Sequence, residues 1–418
     1  MTQPPTHTAL DTSVAAAETV FDPYDLELRR DPYPFYRRFL EENPVHRTAD
    51  SEAWVVSRHE DVSLVLRDAR FAAAAPPNAA QARWEALAEL GLDPDFGNQA
   101  GGESMLFKDP PDHTRMRKLS WPAFTPRAVE ALRPKIRRFV DELLDEFSSG
   151  DRIDVIGDMA YPLPIMVICE MLAIPESDRP RFKELSRDLA GIVDIPLSPE
   201  IMLRGIAAAR EFTDYFRELL PHRRRQPGDD VISSLATTEG PEGLSENELL
   251  ATCVQLLFGG HETTQNLIGN GMLALLRHRD AFEQLRNEPS LLPSAVEELL
   301  RYDSPGQLAG RWVAEALELG GHTLRPGERV IALMAAANRD PHVFAEPDRL
   351  DITRQPNPHL SFGFGIHFCL GAPLARVEGQ EAIGALVDRF PDLELEDQEP
   401  EWRQTLALRG LASLPVRF

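Results

Sequence analysis

The chain is short of cysteine, of basic charge and of long apolar runs, and each shortage excludes something. Three cysteines occur, Cys169, Cys253 and Cys369, far apart and with no CxxC pair. An odd, sparse set argues against a disulfide framework and for a reducing, cytoplasmic setting. A net charge of −23 argues against a nucleic-acid partner, since phosphate binding needs a basic face. No apolar run approaches the roughly 20 residues that a membrane helix requires. The opening stretch, MTQPPTHTALDTSVAAAETV, has no basic region followed by an apolar one, so it reads as a loose tail and not as a signal peptide. Residues 1–20 are therefore expected to be that tail, and 21–418 one domain. The 43% hydrophobic content is ample for a large core.

What is present centres on Ser361–Arg376, SFGFGIHFCLGAPLAR. Gly363, Gly365 and Gly371 allow a tight loop that bares amide N–H groups. Apolar Leu370, Leu374, Val377, Ile383 and Leu386 follow at helical spacing, so Cys369 is expected just before a helix N-terminus. There the free N–H groups and the macrodipole favour negative charge, and the thiol pKa should fall. A lone thiolate does not suit structural zinc, which takes four ligands. Two readings stand for such a cysteine: a buried structural residue, or a thiolate ligand with one metal bond.

The rest of the chain reads as mostly helical. Asp31-Pro32-Tyr33-Pro34 opens a helix, Ala53–Ser57 is a strand, and Glu60–Asp68 returns to helical period. A Pro/Ala/Gly-rich stretch from about Ala72 to Ser104 has the length of a lid, broken by a short helix near Ala80–Leu90. Pro110 and Pro111 start a helix on which His113 and Arg117, four apart, share a face. Taken alone, that pair is a solvated basic helix. Arg115 and Lys118 point off that face and offer a docking surface. Pro180–Ile192 and Pro199–Arg223 flank a break at Asp194–Ser198, a candidate flap. Ser245 and Glu248 make a capping-box start for a long helix to Arg277, with Leu249, Cys253, Leu256, Gly260, Thr263 and Leu267 on one stripe. Gly259 and Gly260 would cost about 1 kcal/mol each inside it, so the helix is expected to open where something large approaches. Glu298 and Arg301 lie three apart on a later helix, the spacing of an ordinary surface pair. Short strands follow at Trp312–Val313, His322–Leu324 and Val330–Leu333, and the tail around Leu408 alternates like a hairpin.

Together these segments resemble the cytochrome P-450 family. Phe362-Gly363-x-Gly365-x-His367-x-Cys369-x-Gly371 is similar to its haem-binding signature at every fixed position. The likeness runs from about Phe21 to Phe418, with five motifs in the family's order. It implies a mainly α fold with a small β-rich part, and haem b sandwiched between a long kinked central helix and a cysteine loop. Cys369 would be the iron's thiolate ligand. His113, Arg117, Arg311 and His359 would hold the haem propionates, an arrangement suited to arginine's bidentate fork. Phe362, His367, Gly371, Gly259 and Gly260 would line the cofactor. Glu262 and Thr263 resemble the family's oxygen-activation motif, the acid relaying protons from solvent and the alcohol positioning water. Glu298 and Arg301, with Arg349 as third partner, would brace the cysteine segment.

The resemblance implies a soluble monooxygenase. One atom of O2 would enter a C–H or C=C bond of an apolar substrate, with electrons reaching a monomer from NAD(P)H through a separate ferredoxin or flavodoxin system. A secondary metabolite, terpenoid, steroid or fatty acid would suit the small or apolar pocket candidates Leu256, Gly259, Leu308, Ala309 and Leu408. The alternatives are a peroxide-driven peroxygenase on the same fold and a non-catalytic haem-based sensor. An intact Glu262-Thr263 pair disfavours the first; the sensor has no use for that pair.

Overall fold

A computed structural model describes residues 20–89, 103–147, 151–194, 198–238, 240, 242–397 and 399–418. Residues 1–19 of the expected tail and 195–197 of the expected Asp194–Ser198 break lie outside these residues, as does most of the second half of the lid stretch. Helices dominate, and three small sheets flank them. The largest orders its strands β1 (Val45–Arg47), β2 (Ala53–Val56), β8 (Arg329–Ala332), β5 (Ala309–Val313) and β3 (Phe71–Ala72). A second joins β4 (Arg152–Asp154), β10 (Pro415–Arg417) and β9 (Glu394–Leu395). The third is the hairpin of β6 (Leu317–Leu319) and β7 (His322–Leu324).

The AWVV run of β2 is buried at all four positions. It pairs parallel to β8, Val55 opposite Ile331, and antiparallel to β1. Parallel pairing needs both faces covered, which accounts for the lack of a polar alternation here. The tail strand β10 ties the C-terminus to β4, with Val416 opposite Ile153.

Glu246–Arg277 is the longest helix. Its start is the expected capping box, Ser245 accepting from Glu248 N and Glu248 from Ser245 N. The expected single apolar stripe is too narrow. Leu249, Leu250, Cys253, Leu257, Ile268, Met272 and Leu275 are all buried, so the helix is wrapped almost all round by its neighbours. The largest core cluster joins it to Pro162–Met171, Pro126–Phe147 and Ala372–Arg389. The flanking helices Phe182–Val193 and Pro199–Arg225 lie where expected, the second ending in the basic run His222–Arg225 that complements its dipole.

Candidate active site

The cysteine segment forms a loop closed by its own backbone. Gly363 N donates to Leu360 O at 2.8 Å, Phe368 N to Gly365 O at 3.1 Å, and Cys369 N to Phe362 O at 2.8 Å. Gly363 and Gly365 sit at φ +71° and +73°. A Cβ on Gly365 would also stand 2.8 Å from Leu66 O, so glycine is required twice over there. Gly371 caps the helix Ala372–Arg389, placing Cys369 just ahead of its N-terminus.

The expected fall in the Cys369 pKa does not occur in the free thiol. Burial raises it, and the Gly371 and Ala372 amides, with Arg117 and Arg376, oppose that rise without reversing it. The helix terminus is present, but desolvation outweighs it.

Around the loop gather two histidines, His113 and His367, and two arginines, Arg117 and Arg311, with the charge of Asp109 nearby. His113 is buried, and its ring centroid lies 4.2 Å from that of His367. Burial and the nearby Arg311 guanidinium lower the His367 pKa to about 3, and burial followed by Arg117 lowers that of His113. Both rings are thus neutral at pH 7. Arg117 Nη2 donates to Phe368 O at 2.7 Å, and Arg311 Nη1 to Gly310 O at 2.8 Å. Neither guanidinium has a carboxylate within ion-pair distance among the described residues, although Arg311 is only 9% exposed. Nε2 of His367 is buried and unpartnered. His359 lies elsewhere: its Nε2 meets Glu297 Oε2 at 3.1 Å, and its Nδ1 accepts from Ser361 N. With both nitrogens engaged, it braces the loop's approach rather than joining those four. Phe362 lies beside it and carries Arg376 over its ring, 4.6 Å from the centroid.

On the long helix, Gly259 and Gly260 have different surroundings. A Cβ on Gly259 would meet nothing within 4 Å, whereas one on Gly260 would strike Ile168 Cδ1 at 2.9 Å. The two glycines therefore answer to different needs: Gly260 to packing, Gly259 to an open face. The helix continues through this point, and Thr263 Oγ1 donates back to Gly259 O at 3.1 Å. Glu262 is buried and paired with Arg403.

Glu298 and Arg301 are no surface pair. Both side chains are fully buried, with Arg301 Nε 2.7 Å from Glu298 Oε2. The expected third partner is off by five residues. Arg349 lends its carbonyl to Arg301 Nη2 at 3.2 Å, while its own side chain is exposed beside Glu346. The guanidinium that reaches Glu298 belongs to Arg354, Nε to Oε1 and Oε2 at 3.2 and 3.1 Å. Arg115 likewise turns inward to Glu248 and Gly243 O, which withdraws it from the expected docking surface; Lys118 stays exposed near Glu242.

The pattern that defines the cytochrome P450 family matches residues 78–417. The chain is a cytochrome P450. Such proteins bind haem b, and the residues here fit it: the buried guanidinium of Arg311 and the partly exposed one of Arg117, neither in an ion pair with a carboxylate among the described residues, an orphaned His367 nitrogen, and an open face at Gly259. The biotin biosynthesis cytochrome P450 of Bacillus subtilis (strain 168) is 40% identical over 94% of this chain and 97% of its own length. The 6-deoxyerythronolide B hydroxylase of Saccharopolyspora erythraea is 39% identical over 93% of this chain and 96% of its own. The crystal structure of P450BioI in complex with hexadec-9Z-enoic acid ligated acyl carrier protein superposes with a TM-score of 0.87 at 39% identity, covering 94% of this chain and 99% of that one. The protein is thus an oxidoreductase of the P450 monooxygenase family. Among the described residues, no helix is long and apolar enough to cross a membrane.

Sequence reasoning missed four members of this P450's site. Arg354 was visible as the next arginine in RLDITR. The Glu297–Arg376 pair, Nε to Oε1 at 2.7 Å, links the brace helix to the cysteine-loop helix, and Glu297 adjoins the ExxR motif itself. Arg403 carried no local signal, because its partner is distant in sequence.

Proposed function

We propose that this cytochrome P450 inserts one atom of O2 into an apolar substrate by hydroxylation or epoxidation, using two electrons from NAD(P)H passed on by a separate ferredoxin or flavodoxin. Cys369 is the thiolate ligand in this reading, and the bound haem supplies dioxygen activation. Arg117 and Arg311, with His113, hold the propionates, and Phe362, His367, Gly371, Gly259 and Gly260 line the cofactor. Thr263 would position water at the site of dioxygen activation, and Glu262 would pass on protons. The catalytic unit spans 21–418, from buried Phe21 to buried Val416, and works as a cytoplasmic monomer.

The observation that carries the reading is the buried guanidinium of Arg311, with the partly exposed one of Arg117, each without an ion-paired carboxylate among the described residues beside the Cys369 loop. A buried cation without an anion is costly, and two haem propionates would satisfy both. Buried Leu256 and Leu408 favour a greasy substrate, in keeping with a similar P450 in complex with an acyl carrier protein ligated to hexadec-9Z-enoic acid and another named as a 6-deoxyerythronolide B hydroxylase. Titrating the holoprotein with apolar compounds, carrier-linked acyl chains included, tests this through the low-to-high-spin Soret shift. Product formed with a ferredoxin and reductase supports the reading; product with peroxide alone would move it to a peroxygenase.

A further inference from the structure

Helix Phe182–Val193 ends at Asp194, whose backbone N–H still bonds into the helix, to Ala190 O at 3.1 Å. Its side chain reaches the tip of a hairpin near the C-terminus, in which Trp402 bridges Leu411 and Arg403 N donates to Gly410 O at 3.0 Å. Asp194 Oδ2 accepts from Leu406 N at 2.5 Å, and Oδ1 from Ala407 N at 3.1 Å. All three residues are buried. Buried amides need acceptors, and a carboxylate offers two at once, each strengthened by its charge. The other side of the tip is tied to backbone: Gln307 N donates to Ala407 O at 2.9 Å, and Arg409 N to Pro305 O at 2.8 Å.

The helix end and the hairpin arm also line one cavity of about 620 Å³, with Arg187, Gly191 and Arg204 on the helix side and Trp402, Arg403 and Thr405 on the arm. Close packing, the usual restraint on a buried segment, is therefore missing along this face of the arm. Hydrogen bonds take its place. Arg29, in the same wall, donates from Nη1 to Gln404 O at 3.0 Å, and Asp194 holds the two amides beyond it.

We propose that Asp194 is a specificity-determining positioning residue: it is a strut that keeps the hairpin tip, and with it Leu408, at a fixed depth in the substrate pocket. This rests on the placement of Leu408 in the pocket given above. Leu408 follows the clamped amides directly, and Thr405 Oγ1 donates to Leu408 O, so residues 405–408 move as one turn. Without the carboxylate, two buried N–H groups lose their acceptors, and the cavity gives the arm room to relax. Leu408 then withdraws and the pocket widens. Asp194 touches no substrate; it sets the size of ligand admitted by acting through Leu408.

The test uses full-length holoprotein carrying Asp194→Ala, Asp194→Asn or Leu408→Ala. Two azoles that ligate haem iron serve as probes, phenylimidazole as the slim one and clotrimazole as the bulky one, with Kd read from the Soret shift. The Kd ratio should move several-fold in favour of clotrimazole in Asp194→Ala, and less in Asp194→Asn, whose amide oxygen still accepts from one N–H. Hydrogen exchange in peptides spanning residues 404–408 should quicken in the same order. Leu408→Ala should move the ratio the same way, and adding it to Asp194→Ala should change little more, because both act at one contact. A merely structural Asp194 would quicken exchange and lower Tm with the ratio unchanged. That result overturns the inference, as does unaltered exchange or a ratio that moves towards phenylimidazole. Asp194→Asn keeps the test decisive where Asp194→Ala does not fold. If Leu408→Ala moves the ratio and the Asp194 variants do not, only the role of Asp194 falls. If Leu408→Ala leaves the ratio unchanged, the placement of Leu408 in the pocket falls, and this inference with it.

Discussion

Glu298 and Arg301 form a two-pronged ion pair, Nε to Oε2 at 2.7 Å and Nη2 to Oε1 at 2.8 Å, with neither side chain exposed to solvent. Arg301 Nη1 goes on to the carbonyls of Asn338 and Pro347 at 2.9 and 2.8 Å, and Asp351 N donates to Glu298 Oε1 at 2.9 Å. One helical turn thus holds the meander that precedes the cysteine loop. Arg354 completes the charge around Glu298.

Arg354→Ala should therefore destabilise the protein by about 3 kcal/mol, because it leaves a fully buried carboxylate short of one cation. Arg349→Ala should cost less than about 0.5 kcal/mol, since its side chain is exposed and the carbonyl used by Arg301 remains. Chemical denaturation of both variants checks the contrast. Equal effects would show that the side chain of Arg349 shares the brace.

Arg117→Ala and Arg311→Ala should act in opposite senses on the two forms of the protein. Without cofactor, each removes a cation that has no ion-paired carboxylate, buried in the case of Arg311 and partly exposed in that of Arg117, so stability should hold or rise, most clearly for Arg311. With haem, each loses a charged hydrogen bond of about 1.5 kcal/mol or more, so haem affinity should fall at least about tenfold. Thermal denaturation with and without haem, together with haem transfer to an acceptor protein, reads both signs.

Much of this arrangement was legible in the residues. The cysteine loop announced itself through Gly363, Gly365 and Cys369, because φ > 0 and close backbone approach restrict the choice to glycine. The long helix was legible through Ser245 and Glu248, which cap it by purely local bonds. What stayed hidden depends on contacts across the chain. Arg349 and Arg354 differ in role only because the meander folds one outward and the other onto Glu298. His359 carried a propionate's signature, yet Glu297 occupies its Nε2. The thiol of Cys369 had the right helix end, but local spacing cannot weigh desolvation against it.

The Glu297 link should make the cysteine-loop helix acid-sensitive. Burial acts to raise the Glu297 pKa, but hydrogen bonds from Arg376 and His359 outweigh it and bring the value from 4.5 down to about 2. A depressed carboxyl contributes stability that is fully present above the unfolded pKa and is lost as pH falls from about 4.5 through about 2. Glu297→Gln should be less stable than wild type at pH 7, and the gap should close across that window. Urea midpoints at stepped pH check it; a gap independent of pH would remove the ionic link.

Thr263→Ala should leave folding nearly intact, since the hydroxyl bonds back within its own helix to Gly259 O. The expected change is in coupling: electrons drawn from the donor should appear as hydrogen peroxide in place of product. Peroxide and product measured per NAD(P)H give the ratio, and an unchanged ratio would remove Thr263 from proton delivery.

Cys369 as the iron's thiolate ligand is tested most directly by the carbon monoxide difference spectrum of the reduced holoprotein, wild type against Cys369→Ser. Wild type should show the red-shifted Soret band that a thiolate ligand produces, and Cys369→Ser should lose it. Retention of that band in Cys369→Ser would contradict the assignment.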